Sequence, residues 1–441
     1  MGNYLPNTIA SISVGASGSP DDGHFYWYYR FLDQKQRSGN ALGALTLGPL
    51  GAEAPHVRGI FAKGSRRKSA LLSAKTISNW NLCVLKAETL VLIRAGVRRV
   101  QFYEGGIAEL FLAGWLSIQS PELKIIFNFH WADEWLVVLK TKRLRLVVAQ
   151  FMKLFGGQII FAAESSKLAN RIETVLSFPV ATYPIIAAFD PPSNPAWSER
   201  ENDVLFLPQR ADEVESCFRI AGALKKRGIT SILGIKERVL DSAQHRIARI
   251  VAGDPSDKNG SPWDLAMLPL EDAEYKALIS NSRIVVLPYS KKYFEWGSSG
   301  KFNESIALGS FPFVPDSTAI LGQARAHNAS HAYAIHNVPQ TTSKIAHRLS
   351  VGFPEDSRAW FFDDLIAWSE KVFDSMTTPV GQGSRRKWCV LITLILETHR
   401  QHLANLAGSF FRPDWSSFIQ RLLRRVGAIN NRSPGPYSEK R

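Results

Sequence analysis

Short apolar runs separated by stretches long enough for a helix recur along most of the chain. Ile9-Ala-Ser-Ile-Ser-Val14 is rich in β-branched residues and is closed by the small-residue loop Gly15-Ala-Ser-Gly-Ser-Pro20, the pattern of a strand running into a turn. Asp22 to Leu32 has helical character, with an aspartate placed to cap it. Thr89 to Ile93, Arg99 to Phe102 and Lys124 to His130 follow as further strand candidates with helix-sized gaps between them. The pattern then breaks at Phe189-Asp-Pro-Pro-Ser-Asn-Pro-Ala196, where three prolines prevent continuous secondary structure. It restarts with a strand over Asp203 to Leu207, a helix over Asp212 to Arg227 and a strand over Thr230 to Gly234. A helix over Glu271 to Ile279 and strands over Arg283 to Leu287 and Phe311 to Pro315 complete it, and Asp363 to Leu422 reads as largely helical. Alternation of this kind predicts parallel strands with crossover helices, hence an α/β protein of two doubly wound, Rossmann-like domains facing a central cleft, with a helical C-terminal region.

At 441 residues the chain exceeds one ordinary core. The expected division is an N-terminal domain over 1–190, a linker over 191–200, a C-terminal domain over 201–400, and a helical segment and tail over 401–441. A composition of 45% hydrophobic and 21% charged residues is that of a globular protein. Cys83, Cys217 and Cys389 are far apart and odd in number, which indicates neither a disulfide framework nor a zinc site. The N-terminus lacks the basic and apolar segments of a signal peptide, and the apolar runs fall short of the ~20 residues that cross a bilayer. A cytoplasmic location is expected.

The net charge of +14 calls for an anionic partner: a nucleotide, a nucleic acid or acidic lipid headgroups. Basic residues cluster at Gly64 to Lys68, Lys140 to Arg145, Ser384 to Lys387 and Arg421 to Arg425. Zinc-finger spacing, RNP-like aromatic motifs and a helix-turn-helix pattern are absent, so nucleic-acid binding is the less favoured class.

The most informative stretch is Pro288-Tyr-Ser-Lys-Lys-Tyr-Phe-Glu-Trp-Gly-Ser-Ser-Gly-Lys-Phe-Asn-Glu-Ser-Ile-Ala-Leu-Gly-Ser310. A helix starting near Gly300 presents unpaired backbone N–H groups and partial positive charge to the space before it, which suits a phosphate. Ser298, Ser299 and Gly300 supply hydroxyls and room for close backbone approach, and Lys292 and Lys301 add positive charge. Glu304 has two acceptor oxygens for the hydroxyl pair of a ribose. A glutamate in a first helical turn also complements the helix dipole without any ligand. Both readings stand on residue chemistry alone.

The window from Tyr275 to Pro315, with Ile284-Val-Val-Leu-Pro-Tyr289, Ser299-Gly300, Glu304-Ser-Ile-Ala-Leu-Gly309 and Val314-Pro315, resembles the donor site of GT-B glycosyltransferases of the retaining, glycogen-synthase-like group, family 4-like. The resemblance implies that Ser299 and Gly300 hold the donor diphosphate and Glu304 the ribose. Many members have a second glutamate eight positions before the ribose-binding one, where this chain has Trp296 beside Glu295. Members also carry basic residues after the first strand of the second domain; Arg210, next to Gln209, is the counterpart here, with Lys236 as a second charge for the leaving group. His130, in Phe-Asn-Phe-His-Trp-Ala-Asp133, stands where such enzymes place a sugar-facing histidine, and Gly23 and His24 resemble their glycine turn facing the phosphate. Asp21 and Asp22 read as a helix cap rather than a metal site. The implied activity is transfer of a sugar, with retention, from a nucleotide diphosphate sugar to a hydroxyl acceptor that is a glycan or lipid-linked glycan. Neither cofactor nor metal is expected, and peripheral contact with an anionic membrane is. A nucleotide-sugar epimerase or an inactive binding relative on the same scaffold is the alternative.

Overall fold

The computed structural model describes residues 9–13, 42–46, 58–59, 93–94, 96–130, 132–187, 194–244, 262–268, 272–316, 318–322, 333–354, 357–376 and 384–407. Among them, thirteen strands form two sheets in which every pairing is parallel. The first sheet contains β1 (Ile9–Ser13), β2 (Leu42–Thr46), β3 (Arg58–Gly59), β4 (Arg99–Gly105), β5 (Lys124–Phe129), β6 (Ile159–Ala163) and β7 (Ala181–Thr182), in the order β3-β2-β1-β4-β5-β6-β7. The second contains β8 (Asn202–Phe206), β9 (Ser231–Lys236), β10 (Asp264–Leu268), β11 (Ser282–Val286), β12 (Phe311–Pro315) and β13 (Tyr333–Ile335), in the order β10-β9-β8-β11-β12-β13. Each order reverses once, between β1 and β4 and between β8 and β11, which opens a crevice beyond the strands' carboxyl ends.

The strands are near-continuous apolar runs because helices cover both faces. On one face of the first sheet lie α1 (Ile107–Gln119), α2 (Ala132–Lys140), α3 (Lys142–Phe155) and α4 (Ser166–Leu176). The second sheet carries α5 (Ala211–Lys225), α6 (Asp272–Ser280), the single turn α7 (Lys291–Phe294), α8 (Gly300–Ala307) and α9 (Val338–Val351). The last two helices, α10 (Phe362–Ser375) and α11 (Ser384–Ala407), return to the first sheet. Leu365, Phe373 and Met376 pack with Ile126 and Tyr183 on the face opposite α1. Val390, Leu391 and Leu394 join the core of Phe127, Phe151 and Phe155.

This return departs from the sequence division, which assigned 362–400 to the second domain. The cause is apolar area: the first sheet needs covering on both faces, and Lys124 Nζ donating to Phe373 O at 2.7 Å and Arg99 paired with Asp374 at 2.8 Å fix α10 there. A second departure concerns Thr89 to Ile93, expected as a strand: Ile93 and Arg94 are helical, and 89–92 lie outside the described residues. A short apolar run does not by its periodicity separate a buried helix from a buried strand. The helix expected over Asp22 to Leu32 also lies outside them.

Candidate functional site

At the switch point of the second sheet, two loops leave the ends of β8 and β11 and one carboxylate ties them together. Glu213, in the first turn of α5, accepts from Gln209 N at 2.8 Å and from Ser290 N at 2.9 Å. Burial pushes its carboxyl pKa up, and the two backbone donors pull against that. Tyr289, fully buried, shares a hydrogen bond of 2.7 Å with Ser299 Oγ, and Gln209 Nε2 donates to Tyr289 Oη at 3.3 Å. Burial raises the Tyr289 phenol well above its usual value, so it remains a neutral donor and acceptor.

These contacts fix the approach to α8. Ser299 is the N-cap of this helix, with extended backbone, yet its side chain is turned to Tyr289 and makes no cap hydrogen bond. The N-terminal amides of α8 therefore lack the usual side-chain acceptor from the cap. A Cβ on Gly300 would meet Glu304 Oε1 at 3.5 Å, so the glutamate lies back along the first turn, as a residue four places on does. Glu304 is buried, with Tyr275 Oη donating to its Oε2 at 3.3 Å. Burial depresses the Lys301 pKa; Glu304 raises it, Lys236 lowers it and Glu213 raises it. Lys236 ends β9, and Arg210, N-cap of α5, acts on Glu213. The structure thus gathers Lys236, Ser299, Gly300, Lys301 and Glu304 around one helix start, with Arg210 linked to it through Glu213. Lys292 lies in α7, but its side chain is outside what the structure describes.

The far end of α8 is anchored just as firmly. Gly309 has φ +72°, a left-handed conformation after the last turn, and a Cβ there would sit 2.3 Å from Arg200 Nη2. Arg200 donates to Leu308 O, Ser282 O and Ser310 Oγ, and burial lowers its pKa to about 10. Asn194 Nδ2 donates to Ala307 O at 3.0 Å. The proline-bearing connection between the sheets therefore ends by capping the helix that carries Glu304.

Across the cleft, His130 follows β5 and its Nδ1 is paired with Glu164, which follows β6. Glu164, buried, accepts from Ser298 Oγ at 2.6 Å through its other oxygen. One carboxylate therefore joins the first domain's histidine to the loop before α8. The same loop is docked by Ser165 Oγ donating to Trp296 O at 2.8 Å and by Lys167, whose Nζ lies 4.7 Å from the Trp296 ring centre and 3.4 Å from Glu295. Trp296 thus packs on the first domain. Asn303 adds a bond to Ile185 O. Gly105 permits the close approach of β4 to β5, because a Cβ there would lie 2.2 Å from Asn128 O.

Gly23 and His24 lie outside the described residues. Glu164 and Glu213 did not stand out in the sequence, and Tyr275 and Tyr289 stood within the donor-site window without a role of their own. The available signal was position: Glu164 and Tyr289 each follow a buried strand closely. Among the described residues no three His, Cys, Asp or Glu side chains converge as metal ligands do.

No protein-family model matches the chain, and no curated protein matches it. Solved structures do. The N-terminal domain of trehalose-6-phosphate phosphatase from Candida albicans is similar at a TM-score of 0.50 and 12% identity, over 90% of this chain and 97% of that one. A glycosyltransferase from Rickettsia africae gives 0.49 at 12% identity, over 90% and 98% of the two chains. Anabaena HepE in complex with UDP and glucose gives 0.47 at 9% identity, over 89% and 98%. The likeness to the Candida albicans domain is one of fold alone, the two-domain GT-B architecture.

Proposed function

We propose that this chain is a glycosyltransferase that moves a sugar from a nucleotide diphosphate sugar to a hydroxyl acceptor, with retention at the anomeric carbon. The observation that carries this reading is the start of α8. A buried carboxylate lies against backbone amides that the N-cap side chain leaves to other partners, with Lys301 and Lys236 at hand, at the switch point where ligands of such sheets bind. In this reading the Ser299 and Gly300 amides hold the diphosphate and Glu304 accepts from the ribose hydroxyls.

As the glycosidic bond breaks, negative charge grows on the leaving diphosphate. Amides at a helix start and the charges of Lys301, Lys236 and Arg210 interact more strongly with that charge than with the intact donor, which lowers the barrier. These groups serve the leaving group without a metal, so a chelator should leave turnover unchanged. In this reading His130, whose ring Glu164 orients through Nδ1, faces a sugar hydroxyl. Retention is supported by the resemblance of the stretch from Leu287 to Gly309 to the donor site of retaining enzymes, and a lipid-linked acceptor by the chain's net charge of +14.

A thermal-shift panel of nucleoside diphosphates tests the donor site, since a ligand of the folded state raises Tm by mass action. At least one diphosphate should raise Tm by several degrees, and Glu304→Ala should abolish the rise. A panel without any shift, or a shift unchanged in the variant, rejects the assignment.

A further inference from the structure

We infer that the paired helices α3 and α11 form a docking face for an anionic lipid bilayer. The two helices pack against one another on the first sheet. Arg143, at the start of α3, lies 3.8 Å from Glu397 in the later half of α11, while Lys153 near the end of α3 shares a groove with Arg385 and Arg386; the helices are therefore antiparallel. The groove encloses about 600 Å³ between Gln150, Lys153 and Leu154 on one side and Arg385, Arg386 and Cys389 on the other.

Helical periodicity sets what this face presents. α3 buries Leu144, Val147, Val148, Phe151, Met152 and Phe155, which leaves Lys142, Arg143, Leu146 and Lys153 on the outside. α11 buries Lys387, Val390, Leu391 and Leu394, leaving Arg385, Arg386, Trp388 and Ile392 outside. Leu146 is 56% exposed, Ile392 46% and Trp388 36%, three of the six large apolar residues exposed to this degree among the described residues. Neither 142–155 nor 384–396 contains an aspartate or glutamate. The face is thus strongly cationic, with Glu397 beside Arg143 at its far end, and its cations alternate with aliphatic and indole groups.

That mixture selects a bilayer over other polyanions. A nucleic-acid backbone rewards the cations but gains little from exposed leucine and isoleucine; a lipid interface rewards both, placing apolar side chains below the headgroups and cations among them. Tryptophan suits that boundary. The inference deepens the lipid-linked acceptor reading above, and rests on that reading for its purpose but not for its physics.

Sedimentation of the full chain with vesicles tests it. The chain should pellet with phosphatidylcholine vesicles containing phosphatidylglycerol, remain in the supernatant with pure phosphatidylcholine, and be released by high salt. Arg385→Glu with Arg386→Glu should lower partitioning about thirtyfold or more, at about fivefold for each cation removed before reversal is counted. Leu146→Ser with Ile392→Ser should lower it severalfold at low salt. Both variants should keep the circular dichroism and the diphosphate-induced thermal shift of the parent, so failure here is separable from failure of the donor site. Equal binding to neutral vesicles, absence of binding, undiminished binding by both double variants, or displacement from the vesicles by a single-stranded oligonucleotide would each overturn the proposal.

Discussion

Lys301 occupies the second position of a helix whose N-terminus already carries partial positive charge, an unfavourable place for a cation. Burial is the main cause of its lowered pKa, with Lys236 adding to it and Glu304 and Glu213 opposing. Between that lowered value and 10.5 the unfolded chain binds one more proton at this site than the folded one, so stability rises with pH through the window. A bound diphosphate favours the charged amine and has the opposite effect on its pKa. Diphosphate binding should therefore take up protons at pH values above the lowered one, and affinity should fall as pH rises through the free protein's value. Calorimetry in buffers of different ionisation heat measures the uptake. Lys301→Met should remove it and weaken diphosphate binding about tenfold or more, the worth of a charge-assisted hydrogen bond; uptake that persists in the variant refutes the role. Ser298 to Glu304 was legible in the sequence because its spacing puts donors and acceptor within one helical turn. Glu164 and Glu213 were not, since Ser298 and Ser290 lie 134 and 77 positions from them.

Several strands and helices were read from periodicity with small errors at their ends, since a buried parallel strand is a run of β-branched and aromatic residues in any context, while the strand over Ile159–Ala163 was missed and Ile93, expected in a strand, is helical. The expected helix over 212–227 is observed over Ala211–Lys225, and the strand expected over 283–287 over Ser282–Val286. Where α10 and α11 pack was not legible, because an amphipathic helix does not specify which sheet its apolar face meets. Close packing of α11 depends on Gly114 in α1: a Cβ there would lie 2.5 Å from Phe151 and 2.7 Å from Leu391. Gly114→Val should overpack this three-helix contact and destabilise the protein by about 1–3 kcal/mol. Chemical denaturation measures the loss, and a variant of parental stability would show that the helices part without cost.

Among the described residues, groups that hold the two domains together over the cleft lie at the proposed site. Glu164, between His130 and Ser298, is the central one, supported by Ser165 on Trp296 and Asn303 on Ile185. Interfaces of this kind open and close readily, and closure around a donor excludes water. Glu164→Ala should raise the radius of gyration of the ligand-free protein in small-angle scattering, and a nucleoside diphosphate should restore part of the compaction. Scattering identical to that of the parent would show that the carboxylate only orients the histidine.

The amino-acid order alone determined two α/β units with parallel strands, a proline-rich stretch over 189–196, a net positive charge and a helix starting at Gly300, all properties set by neighbours within a few turns or residues. Tertiary structure alone decided that α10 and α11 belong to the first sheet and that Glu213 binds together two strand-end loops. It also decided that Glu164 reaches both a histidine and a serine, and that α3 and α11 expose their cations on one face. Each of these is a contact between distant segments, fixed by how buried area and hydrogen-bond partners are shared across the whole fold.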